Sequence, residues 1–267
     1  MGNLSEKRAL VTGASRGAGV GIAKALALAG ASIVLTARNE AGLKKTKSIV
    51  EAAGGKVDAI IPADLSTREA CRELARKAGN IDILINNAAV TSAKFQSILV
   101  RDDEYWDSEF NVNVMAPLTL IQELGPYMVS KQRGTIINIS SISAQRGTPA
   151  HAPYSASKAA MDAMSKVAAM DLARDGINVV VVAFGFIETE ALQEACAEGL
   201  NTADIANMFA PIGRTIDVME AGALCAYLAS DDAKPLTGLV INLDGGMTAG
   251  QYAFQGSLGN GIQAVKK

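Results

Sequence analysis

Val11-Thr12-Gly13-Ala14-Ser15-Arg16-Gly17-Ala18-Gly19 is the stretch on which the fold turns. It follows a short apolar run, Ala9–Thr12, and opens a helical pattern, Gly17–Ala29. Gly13, Gly17 and Gly19 permit a tight strand-to-helix turn and let backbone N–H groups approach a pyrophosphate. The helix N-terminus beyond adds partial positive charge. A lone glycine-rich string can be no more than a tight turn; placed after an N-terminal strand, it points to a dinucleotide.

Outward from this turn, short apolar runs alternate with helical patterns. Further strands are expected at Ser32–Thr36, Lys56–Ile61, Ile81–Asn86, Gly134–Ile139, Asn178–Ala183 and Leu239–Leu243. Most are continuously apolar, as strands covered on both faces should be. Helices are expected at Ala41–Ala53, Thr67–Lys77, Glu104–Ser130, Tyr154–Arg174 and Val218–Ala229. The alternation predicts an α/β fold, a parallel sheet with helices on both faces. With no linker or repeat inside, residues 1–250 read as one domain, and 251–267 as a C-terminal tail.

The second strand decides which dinucleotide. A free ribose 2′-OH is usually met there by an acid. Here the strand ends Thr36-Ala37-Arg38-Asn39, and the first carboxylate is Glu40. Arg38, with Arg16 in the glycine turn, offers two guanidinium forks suited to a 2′-phosphate. Either arginine alone could be a solvated surface residue. The two together, with the acid absent, favour NADP(H).

Composition narrows the chemistry. The chain has 267 residues and a formal charge of −2, so the basic surplus of a general nucleic-acid binder is missing. Its one histidine, His151, excludes zinc held by several histidines. Three scattered cysteines, no secretory signal and no apolar run of membrane-spanning length suggest a cytoplasmic protein.

Tyr154 and Lys158 stand four apart, on one helix face, and Ser141 lies just after the fifth strand. Ligands sit at the carboxyl ends of parallel strands, so Ser141 and Tyr154 should meet there. Reducing a ketone needs a hydride on carbon and a proton on oxygen. A tyrosine, with a pKa of about 10, holds such a proton at neutral pH. A nearby ammonium lowers that pKa, and the serine donates to the oxygen where charge develops.

The pieces Thr12-Gly-Ala-Ser-Arg-Gly-Ala-Gly19, Asp64-Leu65, Asn86-Asn-Ala-Ala89, Asn113, Ile139-Ser-Ser141, Tyr154-Ser-Ala-Ser-Lys158, Phe184-Gly-Phe-Ile-Glu-Thr189 and Asp244-Gly-Gly246 occur in order. Together they resemble the short-chain dehydrogenase/reductase family over nearly the whole chain. The resemblance implies a Rossmann-like, doubly wound seven-stranded sheet and a catalytic tetrad of Asn113, Ser141, Tyr154 and Lys158. It implies that Asn113 holds a water joining Lys158 to solvent, and that Lys158 also binds the nicotinamide ribose. Further cofactor contacts implied are Ser15 in the turn, Asp64 and Leu65 at the adenine, Asn87 and Ala88 after the fourth strand, and Ile187 and Thr189 at the carboxamide. Three departures stand out. Ala89 replaces the family's usual glycine. Phe184 replaces a proline, either as a packing residue on the cofactor face or as ordinary core. The stretch 67–79 is short.

On the substrate side, Glu188–Gly213 reads as a lid with several acids and no Lys or Arg. That suggests a neutral or partly apolar carbonyl or alcohol substrate. Leu192, Leu200, Ile205, Met208 and Phe209 either line its pocket or anchor the lid. Thr91–Val100 is a second candidate wall, and His151 either touches substrate or is solvated. The helix after Tyr154 is apolar nearly all round, which predicts a subunit interface with the helix before it. The resemblance points the same way, to a homodimer or homotetramer. The leading reading is an NADP(H)-dependent ketone, aldehyde or alcohol oxidoreductase. A 3-oxoacyl thioester reductase is an alternative, with Arg133 and Arg174 as a basic patch for an acidic carrier. A non-catalytic dinucleotide-binding regulator is another. Enoyl reduction is disfavoured by the four-residue Tyr–Lys spacing.

Overall fold

A computed structural model describes residues 3–91, 96–100, 102–196 and 201–250. The tail 251–267, Leu200 of the expected lid and residues 92–95 of the second candidate wall lie outside them. Seven parallel strands form one sheet: β1 (Arg8–Thr12), β2 (Ser32–Thr36), β3 (Lys56–Ile60), β4 (Ile83–Asn86), β5 (Gly134–Ser141), β6 (Ile177–Phe184) and β7 (Val240–Leu243). Their order is β3-β2-β1-β4-β5-β6-β7. The order reverses between β1 and β4, which opens a crevice at the strands' carboxyl ends.

The helices are α1 (Ala18–Leu28), α2 (Glu40–Ala52), α3 (Arg68–Ala78), α4 (Asp103–Phe110), α5 (Ala116–Lys131), α6 (Ala152–Leu172), α7 (Glu190–Ala195), α8 (Thr202–Phe209) and α9 (Val218–Leu228). One apolar core joins α1, α2 and α9 to side chains such as Val11, Ile33, Ile85, Ile137 and Val182. The other joins α3, α5 and α6 to Leu10, Val34, Leu84, Ile136 and Val179. Adjacent strand residues thus serve opposite cores, so the apolar runs are continuous. Phe184 is buried in the first of these cores, as an ordinary core residue would be.

The expected helix Glu104–Ser130 is instead α4, a π-helical turn at Asn111–Met115, and α5. Pro117 has no N–H to give the carbonyl of residue 113 four residues back. The ladder widens there, and the Ala116 N–H donates to the Asn111 carbonyl five residues back. The lid carries two short helices that the apolar pattern does not reveal. Their caps do: Thr189 accepts from the Leu192 N–H, and Asn201 with Asp204 forms a reciprocal capping box.

Candidate active site

The glycine turn is fastened to the end of β4. Asn87 Nδ2 donates to the Thr12 and Gly13 carbonyls at 2.8 and 3.2 Å. The N–H groups of Asn87 and Ala88 both donate to the Thr12 hydroxyl at 2.9 Å. A Cβ on Gly13 would come within 2.8 Å of Ala88 Cα, and one on Gly19 within 2.3 Å of the Gly13 carbonyl. These two glycines are therefore required by the packing of the turn itself, in addition to any ligand. Gly17 (φ +58°) is the α1 N-cap, and a Cβ there would lie 3.1 Å from Thr189 Cγ2. The turn and the segment after β6 meet at that point.

This cradle fits a dinucleotide phosphate. No side chain caps α1 and its first turn carries no acid, so its orphan N–H donors face outward. Arg38 is exposed just beyond β2 and makes no ion pair among the described residues. Arg16 differs from expectation: it pairs with Glu194 of α7 at 3.4 Å, both side chains more than half exposed. Such a pair is worth little in water. Leu65 is buried and Asp64 exposed, its carboxylate accepting from the Ser66 N–H at 3.0 Å. Ser15 in the glycine turn is partly exposed, and Ala89 is exposed.

Beyond the crevice, β5 ends in Ser141 and α6 begins at Ala152, so Tyr154 and Lys158 lie on its first two turns. Lys158 is 2% exposed, and its Nζ donates to the Ile139 carbonyl at 2.8 Å. The same nitrogen is 5.8 Å from the Tyr154 ring centre. Burial pushes the lysine down to about 8, with the Asp162 carboxylate opposing. Burial pushes the Tyr154 phenol up to about 12; the Ser141 hydroxyl opposes this and Glu109 adds to it. The expected lowering by lysine does not figure among the causes of this shift; desolvation dominates and holds the proton on the tyrosine.

Asn113 sits in the π-helical turn, fully buried. Its Oδ1 accepts from the Val90 N–H at 2.9 Å. Its Nδ2 donates to the Val90 carbonyl at 2.9 Å and to Ser157 Oγ at 3.0 Å. It ties the segment after β4 to the helix that bears Tyr154 and Lys158. His151 is partly buried, with its ring edge-on to Tyr154 at 6.0 Å, so it belongs to the site and not to open solvent.

After β6, Ile187 is buried and forms a parallel bridge with Ile216. Glu188 organises the lid, a role that a count of acids misses. Its carboxylate accepts from Gln193 at 3.0 Å, Thr202 at 3.1 Å and Thr215 at 2.6 Å. These bonds hold its pKa down. With Asp204 in a cap and Glu194 on Arg16, three of the lid's acids have structural partners. Phe209 stacks edge-on against Phe186 at 6.1 Å, and both it and Met208 remain about half exposed. Leu192 and Ile205 are partly buried. Arg133 and Arg174 are exposed and precede β5 and β6, at the opposite end of the sheet from Ser141. Among the described residues there is no cluster of three potential metal ligands and no helix long and apolar enough to cross a membrane.

Known proteins share this arrangement. A family model described as enoyl-(acyl carrier protein) reductase matches residues 13–248. An oxidoreductase of Methylorubrum extorquens is 38% identical, over 92% of this chain and all of its own. The 3-oxoacyl-[acyl-carrier-protein] reductase of Thermotoga maritima is 34% identical, over 91% of this chain and 98% of its own. A Beutenbergia cavernae structure, assigned as an NAD(P)-dependent gluconate 5-dehydrogenase and holding NADP, superposes with a TM-score of 0.86. It is 29% identical and covers 93% of this chain and 99% of its own. With the crevice, the glycine turn and the Ser–Tyr–Lys cluster all in place, the chain belongs to the short-chain dehydrogenase/reductase family of oxidoreductases.

Proposed function

We propose that the protein interconverts a ketone or aldehyde and an alcohol, using NADP(H) and Tyr154 as acid and base. One observation carries this reading: Tyr154 stands against Ser141 with the buried Lys158 ammonium beside its ring, at the end of the crevice that begins at the glycine turn. Gly13, Ser15, Gly17 and Gly19 with the α1 N-terminus would hold the pyrophosphate, and Arg16 and Arg38 the 2′-phosphate. Asp64 and Leu65 would flank the adenine, with Asn87, Ala88, Ile187 and Thr189 toward the nicotinamide. The bound cofactor supplies or takes up the hydride.

The chain's own residues handle the proton. Tyr154 keeps its hydroxyl proton at neutral pH and gives it to the carbonyl oxygen as charge develops. Ser141 donates a hydrogen bond to that same oxygen. Lys158 stabilises the phenolate left behind, and its charge favours reprotonation. Asn113 would hold the water that connects the lysine to solvent. Its side-chain N–H donors are occupied by Val90 and Ser157, so this falls to its oxygen atoms.

A 3-oxoacyl thioester is the second reading for the substrate, supported by the Thermotoga maritima relative's named activity. Arg133 and Arg174 do not border the crevice of their own chain, so they give that reading no help within one subunit. A regulator without catalysis would have no use for all four tetrad positions, and all four are present. The test is NADPH oxidation with a panel of ketones, 3-oxoacyl thioesters and sugar-acid ketones. Tyr154→Phe should lower turnover at least about 100-fold while leaving NADPH binding, read by fluorescence, intact. Equal rates in the two proteins would overturn the assignment.

A further inference from the structure

Lys158 is one member of a buried polar seam between α6 and β5. Asn86 Nδ2 donates to Asn138 Oδ1 at 2.8 Å, and Asn138 Nδ2 donates to Ser165 Oγ at 2.8 Å. Lys158 joins the seam through the Ile139 carbonyl. One turn beyond the lysine, on the same face of α6, lies Asp162, only 8% exposed. Among the described residues its Oδ1 has no hydrogen-bond partner, and neither has the buried hydroxyl of Ser140 on β5. A carboxylate carried into a helix–sheet contact costs several kcal/mol unless an opposite charge accompanies it. The charged groups acting on Asp162 are Lys158 and, a turn further out and exposed, Lys166, both on its own helix; from β5 the Ser140 hydroxyl faces it. The ionisable groups around Lys158 are Asp162 and Tyr154, and Glu109 of α4 acts on the tyrosine in turn.

We propose that Asp162 is a positioning residue for the reaction, the buried carboxylate that keeps the Lys158 ammonium charged next to Tyr154. The inference rests on the acid/base reading above. It adds a group that touches neither substrate nor cofactor and acts only through the lysine. Burial lowers the Lys158 pKa, and Asp162 is the charge that opposes the fall. A carboxylate one turn away opposes this without occupying the lysine's donors, which remain for the Ile139 carbonyl and the face toward Tyr154. Burial raises the Asp162 pKa above the ordinary carboxylate value, and the Lys158 and Lys166 ammoniums are the charges that oppose the rise.

Asp162→Asn tests this in two ways. In the cofactor-free protein, lysines labelled with 13C at Cε report titration by NMR, and the Lys158 signal is the one lost in Lys158→Met. Its midpoint should fall by about one pH unit in Asp162→Asn. The limb of the pH profile of kcat/KM that reports Lys158 should fall with it, and Asp162→Glu should restore both. A folded Asp162→Asn protein with an unmoved Lys158 midpoint overturns the proposal. If Asp162→Asn does not fold, the 13Cγ signals of wild-type aspartates decide instead. An Asp162 carboxyl ionised from pH 6 to pH 9 supports the pairing, and one that stays protonated there overturns it. Because the NMR arm needs no turnover, an active Tyr154→Phe protein would sink the acid/base reading while leaving the Lys158–Asp162 pairing to be judged separately.

Discussion

Lys158 shows how a single residue trades stability for chemistry. Its pKa is drawn from the ordinary lysine value to about 8 by burial, so the folded protein binds that proton less tightly than the unfolded chain. The destabilisation is present in full below about pH 8, where both states are protonated. It fades as pH rises from there toward the ordinary lysine pKa of about 10.4. At pH 7 it amounts to about 3 kcal/mol, less ~1 kcal/mol for the bond to the Ile139 carbonyl that a substitution would give up. Lys158→Met combined with Asp162→Asn, which leaves no carboxylate buried without its partner, should therefore raise the urea midpoint at pH 7 while abolishing turnover, and the gain should shrink steadily between pH 8 and pH 10. A midpoint gain independent of pH would show that packing, and not charge, is responsible. Tyr154, Lys158 and Ser141 were legible because helix periodicity and strand ends place them. Asp162 and Glu188 were not, since their surroundings come from distant segments: the helix–sheet contact that buries the one, and the Thr202 and Thr215 hydroxyls that bind the other.

At the scale of elements, the strand–turn–helix from Arg8 to Leu28 joins fold to function. Its glycines close the turn onto β4, and α1 is left uncapped for an anion. The end of β2 then supplies Arg38 with no ionic partner among the described residues, while Arg16 must leave Glu194 to serve the same phosphate. This asymmetry predicts that Arg38 contributes more to cofactor choice. Arg38→Ala should weaken NADPH binding about 10-fold or more, with NADH nearly unchanged, as isothermal titration would measure. A parallel loss for both cofactors would remove the 2′-phosphate from Arg38. The strands and α1, α2, α3 and α9 fell within two residues of the sequence reading, because apolar runs and terminal glycines mark them. The break between α4 and α5 was missed although Pro117 signalled it, since apolar spacing continues through a π-helical turn. The lid helices are too short for periodicity, and only their caps announce them.

The whole molecule leaves one face unexplained by a single chain. The strand order, invisible in the sequence, puts α6 on the outer side of β5 and β6, where the polar seam and the core occupy its inner face. Its other face keeps Val167 51% and Met170 72% exposed. Scattered apolar residues are ordinary on a surface, but here they are neighbours one turn apart on the outer face of one helix. A second copy of the chain packing α5 and α6 against their counterparts would cover both residues by two-fold symmetry. Because Tyr154 and Lys158 lie on the same helix, that packing would also brace the site. Light scattering at micromolar concentration should then give a dimer or a larger even assembly. Val167→Lys with Met170→Lys should shift it toward monomer, since like charges would face each other across the two-fold axis. Turnover per chain should fall with assembly as the protein is diluted. A wild-type protein that is monomeric at micromolar concentration with full activity would show that α6 needs no partner to hold Tyr154 in place.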